Sequence, residues 1–546
     1  MAKIENQLKA RIAESVKKLY GIDDASMVQV EIPKNTDYGD YSTNMAMQLP
    51  RILHRSPKEI SAELAEELSK QTDLIETVEV AGPGFINFRL KKSILADIIN
   101  AALKEGEHFG KNESGKGKNI LVEYVSANPT GDLHLGHARG AVWGDAICRL
   151  LNASGWNCLR EYYINDAGAQ MLNLGKSVYA RYAECFGVEV EIPEDGYYGE
   201  DVKQIGHDLA EELGDVWLNK EEGRIEYFRD RGYERELEKI KRDLKDFNCE
   251  FDSWISERSL YDRGLVDETV EKMKKMGLTY EKDGALWFTT TKFGDDKDRV
   301  LVKSDGSLTY MTPDIANHLD KFARGYEKLV DLWGADHHSY VTRMKAAMAA
   351  FGHDWNDLEV DIIQMVRLVE NGEEVKMSKR SGNAITIREL VADVGLDAAR
   401  YFFVSRDVAT HLDFDLGLAR KKTSENPIYY IQYAHARTCG IFKNAPEVKP
   451  QERYELLKEQ KEVDLLKLLN DYTDLVAESA LLRAPHRISN YLMKLASAFH
   501  SYYGSYKFVD PEHPELMNER LALVKAVQIT LENALSLLGL SAPQEM

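Results

Sequence analysis

The sequence predicts an α/β protein: a parallel sheet covered by helices on both faces, preceded by an α+β unit and followed by an all-α bundle. Three observations predict it. Between Asn119 and about Val360, short apolar runs such as Ile120-Leu-Val-Glu-Tyr-Val125 and Lys328-Leu-Val-Asp-Leu332 alternate with helical stretches, the pattern of strands buried on both sides. Before about residue 105, helical segments (Ile4 to Tyr20, Pro57 to Leu68) flank the strand-like alternations Val28-Gln-Val-Glu-Ile32 and Phe85-Ile-Asn-Phe-Arg-Leu90. From Ala419 onward nearly everything is helical.

Taken in chain order, these signals divide 546 residues, too many for one core, into four parts. An N-terminal unit spans 1–108. The small, polar, glycine-rich tract Gly110 to Lys118 reads as a linker. The sheet unit spans 118–370 and carries an acidic helical insertion at about 186–260. Within it Asp283-Gly284 and Asp305-Gly306 lie between strand-like runs and mark hairpins. A connecting region, 371–418, surrounds a lysine-rich loop, and the bundle spans 419–546. There is no internal repeat.

Composition limits the function classes. A hydrophobic fraction of 44% and a charged fraction of 29% fit a water-soluble globular chain, and no apolar run reaches the roughly 20 residues of a membrane span. The N-terminus is an amphipathic helix without a signal-peptide core, which places the protein in the cytoplasm. Five scattered cysteines, with no C-x-x-C pair, suit reduced thiols and argue against structural zinc. A net charge of −20 disfavours indiscriminate nucleic-acid binding but leaves room for a local basic groove.

The most informative stretch is Ser126-Ala-Asn-Pro-Thr-Gly-Asp-Leu-His-Leu-Gly-His-Ala-Arg-Gly140. It lies where an apolar strand ends and the helix Gly136 to Leu151 begins, the crevice where open α/β sheets bind ligands and where helix N–H groups attract phosphate. His134 and His137, three apart at the first turn, can donate to the same phosphate oxygens. Gly136 lets a base or ribose lie against the backbone, and Asn128, Pro129 and Thr130 form the approach. An isolated H-x-x-H is more often a helix cap, and zinc is weaker still for want of a third ligand. A second stretch, Glu374-Val-Lys-Met-Ser-Lys-Arg-Ser-Gly382, gathers Lys376, Lys379 and Arg380 among small residues. Such a loop can neutralise charge on a leaving pyrophosphate; alone, it equally suits a solvated basic turn. Together the two are far more specific than either.

His134-Leu-Gly-His137 resembles the HIGH signature and Lys376-Met-Ser-Lys-Arg380 the KMSKS signature of class I aminoacyl-tRNA synthetases, with Arg380 where the signature has serine. The resemblance implies a Rossmann-like catalytic domain that binds ATP, with magnesium accompanying it and no protein ligand to the ion assigned. The catalytic set it implies is His134, His137, Lys376 and Lys379, with Met377 and Ser378 also at ATP. Seven segments in order along the whole chain are similar to arginyl-tRNA synthetases of bacterial type: Tyr38 to Met47, Gly82 to Phe88, Val122 to Pro129, Tyr162 to Gly168, Ser304 to Ala316, Trp333 to His338 and Glu425 to Arg437. That family activates L-arginine as an adenylate and passes it to the 3'-terminal ribose of tRNA(Arg).

The same resemblance assigns Tyr310 and Asp314 to the guanidinium, and Glu123, Ser126 and Asn128 to the rest of the arginine. A guanidinium is a planar cationic fork that needs opposed carboxylates; read alone, Asp314 is a helix N-terminal acid after Pro313. Gly334, Asp336 and His337, at the end of an apolar strand, are placed by the resemblance near the nucleoside or substrate. In the bundle, Tyr429, Tyr433 and Arg437, with a second aromatic set that includes Phe499 and Tyr503, are candidates for stacking and neutralising splayed anticodon bases. Helical periodicity requires that some of them pack inside. Phe85 and Asn87 are assigned to a D-loop base at the tRNA elbow. The family expectation is a monomer with no membrane contact. A synthetase for another amino acid, a nucleotidyltransferase of the same superfamily and a non-catalytic tRNA-binding paralogue stay open as alternatives.

Overall fold

A computed structural model describes residues 4–31, 33, 38–71, 73–375 and 385–546. The N-terminal unit comprises α1 (Ile4–Tyr20), β1 (Tyr41–Thr43), α2 (Met45–Gln48), α3 (Pro50–Leu53), α4 (Pro57–Ser69), β2 (Ile75–Ala81), β3 (Phe85–Leu90) and α5 (Lys92–Glu105). Its sheet is antiparallel in the order β1-β3-β2. α4 starts where the sequence signals it: Ser56 and Glu59 form a reciprocal capping box and Pro57 takes the first turn. The strand expected at Val28 to Ile32 is reduced, among its described residues, to one bridge, Glu31 to Ser42. The Thr43 hydroxyl takes the Gln29 carbonyl at 2.6 Å, which a ladder would otherwise use.

The central unit runs through β4 (Asn119–Glu123), α6 (Leu135–Ala153), β5 (Asn157–Ile164), α7 (Ala169–Glu184), α8 (Glu200–Leu213), α9 (Arg224–Asp246) and β6 (Ser253–Ser256). It continues with α10 (Glu257–Asp262), α11 (Leu265–Lys275), β7 (Thr279–Lys282), β8 (Ala285–Phe288), β9 (Arg299–Val302), α12 (Met311–Ala323), β10 (Lys328–Gly334), α13 (Val341–Ala350) and β11 (Leu358–Ile363). Five strands pair in parallel in the order β11-β10-β4-β5-β6. The chain builds outward from β4 to β6 and then returns to the other side of β4, so the topological switch point falls between β4 and β10. Alternate residues face opposite layers: Ile120, Val122, Val330 and Leu332 join the core containing α6, whereas Leu121 and Leu329 join that of α12 and α13.

The insertion is shorter than expected. Ser253–Ser256 pairs with β5 and is the edge strand, so the helical excursion ends before it; four residues with a serine at each end gave no apolar run to read. α8 and α9 pack instead on α7 through Leu174, Val178, Val202, Leu209 and Phe228.

The connecting region holds β12 (Val366–Glu370), β13 (Glu373–Glu374), α14 (Ile387–Val394), α15 (Leu396–Val404), β14 (Leu412–Asp415) and α16 (Leu416–Ala419). The bundle is α17 (Pro427–Phe442), α18 (Gln460–Leu481), α19 (His486–Tyr503) and α20 (Pro514–Leu537). Two buried arginines join the parts. Arg139 of α6 donates to the carbonyls of Gln364, Thr410 and Asp407 at 2.8–2.9 Å. Arg400 of α15 pairs with Asp145 of α6 at 2.5 Å and donates to the carbonyls of Phe247 and Leu538. Among the described residues no helix is long and apolar enough to cross a membrane.

Candidate active site

The site is built at the carboxyl ends of β4 and β10. β4 stops abruptly: Val125 and Ser126 both have positive φ, 68° and 42°, and the Ser126 N–H donates to the Tyr124 carbonyl at 3.0 Å, closing a γ-turn around Val125. A β-branched residue in this conformation is strained, and strain of this kind collects at functional sites. The Ser126 hydroxyl holds the turn, donating to Glu123 Oε1 at 3.0 Å and accepting the Tyr163 N–H at 3.1 Å.

The chain then passes Asn128, whose amide donates to Gln170 Oε1 at 2.7 Å, and the buried Pro129 and half-buried Thr130, and reaches the start of α6. His134 is the N-cap. Its Nδ1 accepts the Gly136 N–H at 3.1 Å, and His137 Nδ1 accepts the His134 N–H at 3.3 Å. The caps use Nδ1 in both rings, so each neutral imidazole carries its proton on Nε2. The ring centroids are 4.0 Å apart. Burial lowers the His134 pKa, and burial together with the neighbouring ring lowers that of His137 to about 4. At neutral pH two uncharged donors stand at the positive end of a 19-residue helix.

Lys376, Met377, Ser378 and Lys379 lie outside the described residues. Their flanks are described. Thr386 forms an antiparallel bridge with His134, and the Ile387 N–H donates to the Leu133 carbonyl at 2.9 Å. On the other side, the Val375 N–H donates to Leu368 of β12. The insertion braces the same place: on α9, Lys239 pairs with Asp132, Asp201 and Glu236 at 2.7–3.1 Å, and Asp243 pairs with Arg388 of α14 at 2.5 Å.

On the α12 face of the sheet lies an acidic slot. Parallel pairing sets Glu123 of β4 directly beside Asp331 of β10. Asp314 is half-buried in the first turns of α12 and accepts the Tyr340 hydroxyl at Oδ2, 2.6 Å away. Burial raises the pKa of Glu123 and Asp314 against the pull of Lys321 and Tyr340 respectively. Glu257 completes the set, raised to about 7 by burial and by Asp314 and Asp166. Glu257, Asp314 and Glu123 all bear on the buried Tyr163 hydroxyl and, with burial, hold its pKa above the ordinary value. Four carboxylates face one lysine and one histidine, an imbalance that favours a cationic ligand.

The other expected residues fall as follows. Tyr310, one helical turn before Asp314, is 78% exposed. Gly334 ends β10; a Cβ there would meet Asp336 Oδ1 at 2.7 Å, so glycine lets that carboxylate fold back. Asp336 and His337 are exposed and 3.4 Å apart. In the bundle, the Arg437 guanidinium lies between the rings of Tyr433 and Tyr503, 4.4 and 4.7 Å from their centroids, and Tyr429 stacks on Tyr433. Phe499 is fully buried and leaves the surface set, because α19 turns it toward the core while Tyr503, one turn on, faces out. Asn87 is 6% exposed although alternation along β3 sets it with half-buried Phe85 and exposed Arg89, on the face opposite the core residues Ile86, Phe88 and Leu90. The basic stretch around α17 is largely neutralised: Arg420 pairs with Asp393 and Glu370, Lys421 with Glu425 and Lys443 with Glu545.

Lys321, His318, Asp331, Tyr163, Tyr340 and Glu257 belong to the site without any motif that assigns them to it in the sequence. Two signals were available. Glu123 and Asp331 are lone acids in otherwise apolar strands, which buried strands seldom tolerate unpaired, and Asp314, His318 and Lys321 repeat at i, i+4 and i+7 on one face of α12.

The family model described as tRNA synthetases class I (R), catalytic domain, matches residues 98–410. The chain belongs to the arginyl-tRNA synthetase family. The arginyl-tRNA synthetase N-terminal domain model matches residues 6–90 and the DALR anticodon-binding domain model residues 431–546. The chain is 51% identical over 555 residues to an arginine–tRNA ligase of Geobacillus kaustophilus and 50% identical over 554 residues to one of Bacillus subtilis, covering 100% of both chains in each case. An arginyl-tRNA synthetase structure from Thermus thermophilus superposes with a TM-score of 0.74 at 23% identity, covering 99% of this chain and all of that one; at that identity it supports the shared fold.

Proposed function

We propose that this protein charges tRNA(Arg): it activates L-arginine with ATP to arginyl-adenylate and pyrophosphate, then transfers the arginyl group to the 3'-terminal ribose. The observation that carries this reading is the acidic slot of Glu123, Asp314 and Glu257 opening at the same switch point as the paired imidazoles. Arginine enters with its guanidinium against Asp314 and its polar end toward Ser126 and Asn128. Its carboxylate oxygen attacks the α-phosphorus, and the bond to the leaving pyrophosphate breaks. Nε2–H donors of His134 and His137 stabilise the charge that builds on the α-phosphate, with Lys376 and Lys379 meeting the β- and γ-phosphates. The triphosphate supplies oxygens that suit magnesium. Catalysis is positioning plus electrostatics, with no covalent enzyme intermediate.

Gly136, Gly334, Asp336 and His337 receive the nucleoside. The tRNA is held by the bundle at Tyr429, Tyr433, Arg437 and Tyr503, and by Phe85 in the N-terminal unit. The test is ATP–pyrophosphate exchange with each amino acid in turn, with and without tRNA(Arg). Exchange that depends on arginine and is stimulated by this tRNA is expected. Exchange driven by a different amino acid overturns the proposal.

A further inference from the structure

Lys321 is a lysine with 0% exposure, seated behind the slot rather than in it. Its ammonium lies 2.5 Å from Glu123 Oε2 and 3.2 Å from Asp331 Oδ1. The register that sets these two acids side by side creates a like-charge pair in a buried layer, which is unfavourable unless a cation stands between them. His318, one turn earlier on α12, completes the set: Nε2 meets Asp331 Oδ2 at 2.7 Å and Nδ1 meets the Asp314 carbonyl at 2.7 Å. A buried ion pair is seldom the most stable filling for a core, so stability alone does not explain this one. Its geometry does explain Glu123. Ser126 holds one carboxylate oxygen and Lys321 the other, which leaves the group one orientation, beside the Tyr163 hydroxyl.

We propose that Lys321 is a positioning residue that fixes the orientation and the charge of Glu123, and through it the selectivity of the slot for a cationic substrate side chain. This rests on the reading of Glu123 as an arginine ligand. The groups facing Glu123 are Lys321 and His318 on α12, Asp331 on β10, and on β5 Tyr163 and the register partner Glu161. Removing the ammonium leaves Glu123 beside Asp331 with only His318 to offset the pair, so the Glu123 pKa, already raised by burial, rises further and more of the group is neutral and stops attracting a cation.

The test uses the full-length enzyme with its tRNA and compares Lys321→Met, the double variant Lys321→Met/Asp331→Asn, and Glu123→Gln, each measured against wild type at every pH from 7 to 9. Lys321→Met is expected to raise the arginine KM on the order of tenfold or more and to leave the ATP KM within about twofold. Its defect relative to wild type shrinks as pH rises and Glu123 ionises. The double variant, which removes one charge of each sign, shows the same pattern more weakly and carries the test alone if Lys321→Met does not fold. A defect that is independent of pH, or an ATP KM that rises in parallel with that for arginine, overturns the proposal. Glu123→Gln separates the two readings, since its defect has no ionising group to relieve it and must be flat with pH. If Glu123→Gln leaves the arginine KM unchanged, the ligand assignment itself fails. If Glu123→Gln is defective while Lys321→Met is not, only the role of Lys321 fails.

Discussion

Asp314→Asn isolates the charge that the slot offers a guanidinium. Asparagine keeps the shape and keeps an oxygen to accept the Tyr340 hydroxyl, now at 2.6 Å from Asp314 Oδ2, so the local packing survives. What disappears is the negative charge, and an amide N–H₂ now opposes the substrate's own donors. Losing one charge-assisted hydrogen bond costs about 1.5–3 kcal/mol, and leaving a buried donor unpaired costs about 1–3 kcal/mol more. Taking about 3–4 kcal/mol in all, at 1.4 kcal/mol per decade, arginine kcat/KM should fall on the order of 100- to 1,000-fold. With ATP placed at the start of α6, as proposed, its KM should stay within about twofold. The folded protein should not suffer: burial raises the Asp314 pKa, so an ionised Asp314 costs stability above the ordinary carboxylate pKa, and removing it leaves the melting temperature equal or higher at pH 7. The assay is tRNA-dependent ATP–pyrophosphate exchange over an arginine titration, with a thermal melt beside it. An unchanged arginine KM in a folded variant would refute the assignment.

Further outcomes follow from the same geometry. With Glu257 at about 7, arginine binding at pH 7 should release up to about half a proton as the guanidinium drives that group to its anion; calorimetry in buffers of different ionisation enthalpy measures it, and buffer-independent heat would remove Glu257 from the slot. His137 titrates at about 4 in the folded chain, so the unfolded state binds more protons between about pH 4 and 6.5, and this imidazole's contribution to stability is present above that window and declines as pH falls through it. In His137→Asn, the slope of stability with pH across that window should flatten, which urea unfolding at each pH reports. Phe499→Ala should cost about 3–5 kcal/mol of stability, whereas Arg437→Ala should weaken tRNA binding with little effect on tRNA-independent arginine or ATP affinity; a filter-binding titration in which Arg437→Ala binds tRNA normally would take that face out of the RNA surface.

The parts of the fold written in local pattern were legible, and the parts written in register were not. Apolar runs separated by helices gave the parallel sheet, and H-x-x-H after one such run gave the cap of α6, because strand, turn and helix start are contiguous in sequence. The acidic slot is not contiguous. Glu123 and Asp331, with Lys321 behind them, meet only once β10 has crossed back to lie beside β4 and set Asp331 against Glu123. Family resemblance supplied the residues assigned to the ligand, Glu123 and Asp314, but not the lysine and histidine behind them. The aromatic residues of the bundle failed in the other direction. Phe499 and Tyr503 are both aromatic and one turn apart, yet one is core and the other surface, since helix rotation and not composition decides which faces out.

The histidine pair shows why a structural and a catalytic reading of one motif need not compete. If His134 and His137 were only caps, any good acceptor would serve, and serine, threonine or aspartate are the residues that usually do so. If they were only phosphate donors, nothing would hold their rings. Capping through Nδ1 fixes each ring and commits its single proton to Nε2, and depressed pKa values keep both rings neutral. They therefore offer directed hydrogen bonds without a standing charge that would bind ATP equally tightly in its ground state. Only donors aimed at charge that develops during the reaction accelerate it. The bridge from His134 to Thr386, with the Ile387 N–H on the Leu133 carbonyl at 2.9 Å, ties that same cap to the residues that lead into α14.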